Sequence, residues 1–185
     1  MRSRCKSYLL VAIALLGCAL AAPASALATP ARCADADARP GNASEAVLAK
    51  STVCLLNRER TRPRMGALRT NRRLSRAALS HTLDMIQQRY FDHVSKGGLD
   101  VVDRLTSTGY LGAVRSWAVG ENLAWGTGAR STPRETVTGW MNSPGHRRNI
   151  LNRRFREIGI GVVFHAPTND APVAATYTTT FGYRR

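Results

Sequence analysis

Apolar residues run along this chain in three successive patterns. From Tyr8 to about Ala22 they are nearly continuous, from Ser44 onward they recur at steps of three and four, and beyond Ile158 they gather into β-branched and aromatic runs. The middle pattern predicts helices. Asn42-Ala43-Ser44-Glu45 has the form of a capping box, with Asn42 expected to accept from the Glu45 amide. Val47, Ser51, Cys54, Leu55 and Arg58 then share one face until Pro63 breaks the spacing. A second helix is predicted from Asn71 to about Tyr90, striped by Leu74, Ala77, Ala78, His81 and Met85, with Arg72, Arg73, Arg76 and Arg89 largely off the stripe. A short third helix falls within Leu99 to Tyr110 and closes at Gly109. A fourth starts at Thr132-Pro133-Arg134-Glu135, where the cap, the N1 proline and the N3 glutamate agree.

The last pattern predicts strands. Ile158 to Phe164 and Ala174 to Tyr183 read as an antiparallel pair separated by Pro167, Asn169, Asp170 and Pro172. Helices first and strands later predict an α+β domain, with helices packed on a small antiparallel sheet. At 185 residues, 44% hydrophobic and 21% charged, the chain suits one globular domain, and it shows no internal repeat.

The first pattern belongs to export. Arg2, Arg4 and Lys6 precede the apolar run, and Ala24-Ser25-Ala26 and Ala26-Leu27-Ala28 both fit a signal-peptidase site, so residues 1–28 read as a signal peptide. The run is too short for a comfortable membrane span, and no other stretch nears ~20 apolar residues. The reading is a secreted, extracellular protein with no transmembrane segment. A rival takes Leu15-Leu16-Gly17-Cys18 as a lipoprotein box with Cys18 acylated, although more apolar residues follow it. Cleavage removes Cys5 and Cys18, leaving Cys33 and Cys54, which in an oxidising compartment most simply form one disulfide; two free thiols are the alternative. That bridge would tether a leader, residues 29–43, to the first helix.

Charge narrows the partners. Without residues 1–28, which hold three of the 27 Lys and Arg and none of the 12 Asp and Glu, the net charge is +12. Such a surface favours an anionic cell-envelope component or acidic lipid. Nucleic acid is excluded as a partner because aromatic residues are not interleaved with the arginines. A genome biased toward Arg codons would also give three Lys against 24 Arg without any ligand. The chain is read as a monomer.

Candidate chemistry is confined to histidines and a carboxylate, since there is no phosphate loop, Cys-x-x-Cys or Gly-x-Ser-x-Gly. His81 lies on the second helix's apolar stripe, where a hydrogen-bonded core histidine is commoner than a metal pair with Asp84. His165 reads as a solvated strand end. His93, past two aromatics and before glycines in Arg89 to Gly98, can point into a cleft. Glu121, alone in the glycine-flanked apolar stretch Val119 to Gly128, is either desolvated for a purpose or bonded to local amides. His146 follows Ser143-Pro144-Gly145, a turn that would end the Trp140 helix and aim the imidazole back at whatever that helix lines.

Five ordered stretches together resemble the CAP superfamily of cysteine-rich secretory, antigen 5 and pathogenesis-related proteins, in its compact bacterial branch. They are Tyr90 to His93, Gly120 to Gly126, Trp140 to Asn152, Ile158 to Val162 and Thr176 to Gly182, and the likeness covers about Ser44 to Arg185. The resemblance implies a CAP domain over residues 44–185, built as a three-layer α-β-α sandwich with a central antiparallel sheet. It also implies a large cleft with two histidines and two acids. By motif these become His93, His146 and Glu121, with Ser143 standing where the second acid is usual. Two classes of function follow. One is a binding module for a lipid, a wall fragment or a divalent metal. The other is a metal-assisted hydrolase of peptide or cell-wall bonds, with Zn²⁺ on His93 and His146 and Glu121 accepting a proton from bound water.

Overall fold

The computed structural model describes residues 32–185, Asn169 excepted. The expected signal peptide, residues 1–28, with Cys5 and Cys18, lies outside the described residues. Helix α1 (Glu45–Thr61) is followed by β1 (Arg69–Thr70), α2 (Arg72–Gln87) and α3 (Val101–Ser107). Then come β2 (Trp117–Thr127), α4 (Pro133–Asn142), α5 (Pro144–Ile150), β3 (Glu157–Val163) and β4 (Ala174–Arg184). The fold is α+β. Its sheet has the order β1-β3-β4-β2, with β4 antiparallel to both neighbours and the two-residue β1 parallel to β3. Helices α2 and α3 cover one face, and α1, α4 and α5 the other.

Most predicted helices stand where their caps place them. Asn71 accepts from the amides of Arg73 and Leu74, Asp100 and Asp103 form a capping box on α3, and Thr132 accepts from Glu135. The first helix differs. Its cap is Ser44, which accepts from Val47, while the chain at Pro40 to Ala43 is turned, with Gly41 at φ +93°. Glu45 is therefore free to reach across and accept from the Phe164 amide at 2.9 Å. Two further elements depart from expectation. The stretch holding Glu121 is an eleven-residue strand paired along its whole length with β4. Ser143 does end the Trp140 helix, but Pro144 then starts another, so His146 sits on α5 and not in a turn.

Period-two alternation explains how the layers meet. Ile158, Val162, Tyr177 and Phe181 face α1, α4 and α5 and join Leu48, Leu56, Trp140, Ile150 and Phe155 in the larger core. On the other face Gly159 and Gly161 lie opposite Thr180 and Thr178. A Cβ at either glycine would run into the backbone of α2, so only glycine lets the helix lie this close. The threonines fill the face without leaving polar atoms unpaired. Thr180 Oγ1 donates to Leu74 O at 2.9 Å, and Thr82 Oγ1 donates to Thr178 Oγ1 at 2.8 Å.

Three long-range ties complete the frame. Cys33 and Cys54 form the disulfide, with Cα atoms 5.8 Å apart. Arg134 on α4 holds Asp37 with two bonds of 2.6 and 2.8 Å. Arg60, 1% exposed, donates to the carbonyls of Gly66, Ile150, Asn152 and Phe155 and so fixes the end of α5 against α1. No helix among the described residues is long and apolar enough to cross a membrane.

The glycine face carries a prediction. Gly161→Ala forces α2 off the sheet and is expected to cost about 2–3 kcal/mol in urea unfolding. A loss below about 0.5 kcal/mol would mean that the helix does not rest on the backbone of β3.

Candidate functional site

The site is organised by the alternation of one edge strand. On β2, Glu121 is opposite Thr180 and faces the α2 layer, while Asn122 is opposite Thr179 and faces α5. Neighbouring residues thus serve opposite sides of the same edge, and the two candidate histidines come from those two sides. His93 is on the loop after α2, and His146 on α5.

Glu121 has a 3% exposed side chain, so its charge must be answered locally. Arg104 answers it from α3. Its Nη2 donates to Oε1 at 3.0 Å and Oε2 at 2.9 Å, and also to the His93 carbonyl at 3.0 Å, while Nη1 donates to Leu99 O at 2.8 Å. His93 Nδ1 lies 2.9 Å from Glu121 Oε1, leaving Nε2 as its free ring nitrogen, and the side chain is half exposed. His81 completes the arrangement from below. Its Nε2 donates to the Asp92 carbonyl at 2.9 Å and lies 3.9 Å from Glu121 Oε1, while Nδ1 is buried without a partner among the described residues. The backbone carrying His93 is therefore held on both sides of Asp92-His93, by His81 and by Arg104. Asp84 does not bond to His81; it accepts from Tyr90 and Gln88.

The α5 side is built on amides. Asn149 donates to Glu121 O at 3.0 Å and Asn122 Oδ1 at 2.9 Å, and Asn122 in turn donates to His146 O at 3.2 Å. His146 lines a cleft of about 440 Å³ together with Leu123, Trp125, Glu135, Trp140 and Ser143. Glu135 brings in a second carboxylate, from the first turn of α4, at a different place from Ser143. His165 stands apart, its Nδ1 beside Ala166 O after β3.

Electrostatics separate the two imidazoles. The hydrogen bond that His93 donates to the Glu121 carboxylate raises the His93 pKa against the opposing effect of burial. Burial, and then charge on His93, lowers His146. His81 is lowered too, by burial first. Near neutrality the site thus pairs an imidazole biased toward charge with one biased toward the neutral form. Among the described residues no group of three or more His, Cys, Asp or Glu converges as a metal cage.

Arg104, one of 24 arginines in the chain, carries no local mark of burial in the sequence, and Glu135 was already accounted for by its fit as an N3 residue.

Comparison with known proteins follows the same outline. The family model described as "CAP: Cysteine-rich secretory protein family" matches residues 53–181. The chain is 40% identical over 114 residues to the Bacillus subtilis (strain 168) protein YkwD, covering 62% of this chain and 42% of that one. It is 33% identical over 117 residues to the Bacillus subtilis membrane protein YlbC, covering 61% and 31%. It therefore spans less than half the length of these curated relatives. Among solved structures it is similar to an extracellular protein containing an SCP domain from Bacillus anthracis str. Ames, at 28% identity and TM-score 0.59, over 74% of this chain and 40% of that one. It shares its fold with an outer surface protein from Borrelia burgdorferi, at 19% identity and TM-score 0.59, over 72% and 90%.

Two measurements test the geometry. In Glu121→Gln the NMR titration of His93 is expected to move down, to about the ordinary 6.5 or below. Because the folded value is raised, this bond stabilises the fold fully below the unfolded value of about 6.5 and stops doing so as pH rises through the folded value; the variant should lose that pH dependence. Arg104→Met strands a buried carboxylate and is expected to cost about 3–5 kcal/mol at neutral pH in urea unfolding. An unshifted His93 or a neutral Arg104 variant would contradict the arrangement.

Proposed function

The chain belongs to the cysteine-rich secretory protein (CAP) family, and on that premise we propose that it is an exported binding module whose His93 and His146 contact an anionic ligand of the cell envelope. The state of Glu121 carries this reading. A general base must reach the proton it takes, directly or through one water. Glu121 has both oxygens on Arg104 and one of them on His93, at 3% side-chain exposure, so it serves as a positioning residue behind the imidazole. That favours holding a ligand over hydrolysing one.

Export is supported by the Cys33–Cys54 disulfide, a bond that persists in oxidising compartments. The Bacillus anthracis and Borrelia relatives, described as extracellular and outer surface proteins, agree with it. The amino-terminal signal sequence supplies the route.

Zn²⁺ would find two imidazole donors here, short of the three protein ligands of an open zinc site, and no third His, Cys, Asp or Glu converges with them among the described residues. The two donors are His93 Nε2 and an imidazole nitrogen of His146, with Glu121 in the outer position that commonly orients a ligating histidine. Protonation of His93, favoured by Glu121, would compete with the metal.

The deciding experiment incubates purified protein with isolated cell-wall material and measures metal content, protein retained and soluble fragments released. Retention without release is expected, weakened about tenfold in His93→Ala and in His146→Ala, the loss of one charge-assisted contact in each. Release of fragments that disappears in both variants would overturn the reading in favour of metal-assisted hydrolysis.

A further inference from the structure

Away from the cleft, four arginines share one cavity. Arg60, Arg64, Arg153 and Arg156, with Met65, Gly66 and Ala67, line a hollow of about 430 Å³ between the loop after α1 and the turn before β3. No carboxylate lines it among the described residues. We propose that this hollow is a second binding site, taking a phosphate group, and that it operates independently of the candidate site at His93 and His146.

Three observations support it. Like charges gathered in one place repel, and surfaces usually disperse them among acids; here Arg62 is paired with Glu59, and Arg134 with Asp37, yet none of these four has an acidic partner among the described residues. Two of the four guanidinium groups are held in place by backbone. Arg60 is 1% exposed and donates to four carbonyls, and Arg156 Nη1 donates to the carbonyls of Arg154 and Phe155 at 3.2 and 3.0 Å. Carbonyls satisfy the donors without cancelling the charge, so the hollow keeps a fixed positive potential. Burial and the charge of Arg156 both act to lower the Arg60 pKa, as expected where positive charge is unanswered. Arg64 and Arg153 are exposed and can close on an anion.

Phosphate is the chemistry these groups suit. Guanidinium groups give planar, paired donors that match phosphate oxygens, and several converging on one hollow favour a multiply charged group over a single carboxylate. The group could arrive free or on a lipid headgroup.

The test measures binding of pyrophosphate by calorimetry and of vesicles containing phosphatidylglycerol by sedimentation, at low and moderate salt. Wild type and two double variants that remove equal charge are compared. Arg64→Gln with Arg153→Gln empties the rim of the hollow. Arg72→Gln with Arg76→Gln removes two exposed arginines from α2 instead. Binding is expected to weaken about tenfold or more in the first and less than about twofold in the second. Vesicle sedimentation that follows the same order identifies a lipid source, and pyrophosphate uptake alone a soluble one. Equal weakening in both double variants would reduce the effect to diffuse charge and overturn the site, as would failure of wild type to bind either probe. Retention on cell-wall material is expected to be the same in the two double variants, so failure here and failure of the cleft reading are separable.

Discussion

A carboxylate buried beside an edge strand has to be neutralised where it sits, and a large part of this molecule is arranged around that need. Glu121 draws Arg104 in from α3, and the same guanidinium reaches the carbonyls of His93 and Leu99. His81, from the apolar stripe of α2, secures the Asp92 carbonyl one residue earlier. One buried charge pair thus decides where the segment between α2 and α3 can lie. His93, half exposed, owes its orientation to groups that solvent scarcely reaches. The opposite side of β2 repeats the logic with neutral groups, as Asn149 donates to Asn122 and Asn122 donates to the His146 carbonyl, anchoring α5.

Two buried arginines solve the same problem in different ways. Arg104 meets a carboxylate, and the pair is close to neutral as a unit. Arg60 meets only carbonyls, three of them at the end of α5 and in the turn after it, where helix dipoles already favour positive charge. The first arrangement builds a site whose protonation is tuned. The second leaves net charge inside the frame, and the surface above it inherits that potential. An arginine-rich composition therefore has two distinct structural uses here, whatever produced the bias.

What could be read in advance was whatever local chemistry determines. The stripe from Leu74 to Met85, the caps at Asn71 and Thr132, the β-branched runs of β3 and β4, and the pairing of the two remaining cysteines all rest on neighbours within a few residues or on simple counting. What stayed hidden depends on distant partners. Val119 to Gly126 is a strand because β4 lies beside it, and its glycines, acid and amide give no strand signal alone. Ser143-Pro144-Gly145 reads equally as a turn or a helix start, and Asn149 bonding to Glu121 O and Asn122 favours the helix. The histidines and the glutamate were visible as unusual residues, but Arg104 was not, since nothing in its heptapeptide helix marks it as buried.

The place of β4 in the sheet has a consequence for how the chain acquires its shape. In chain order this strand comes after every element it unites, yet it is the strand to which β2 and β3 both bond. While synthesis is under way, the emerged helices have no sheet to rest on, and β2 and β3 remain two open edges with no common neighbour. Collapse into the finished sheet is therefore deferred until residues 174–184 arrive. Topologies that join distant segments in this way fold more slowly than those built from local contacts. Until this strand arrives, the rest of the chain stays open and threadable.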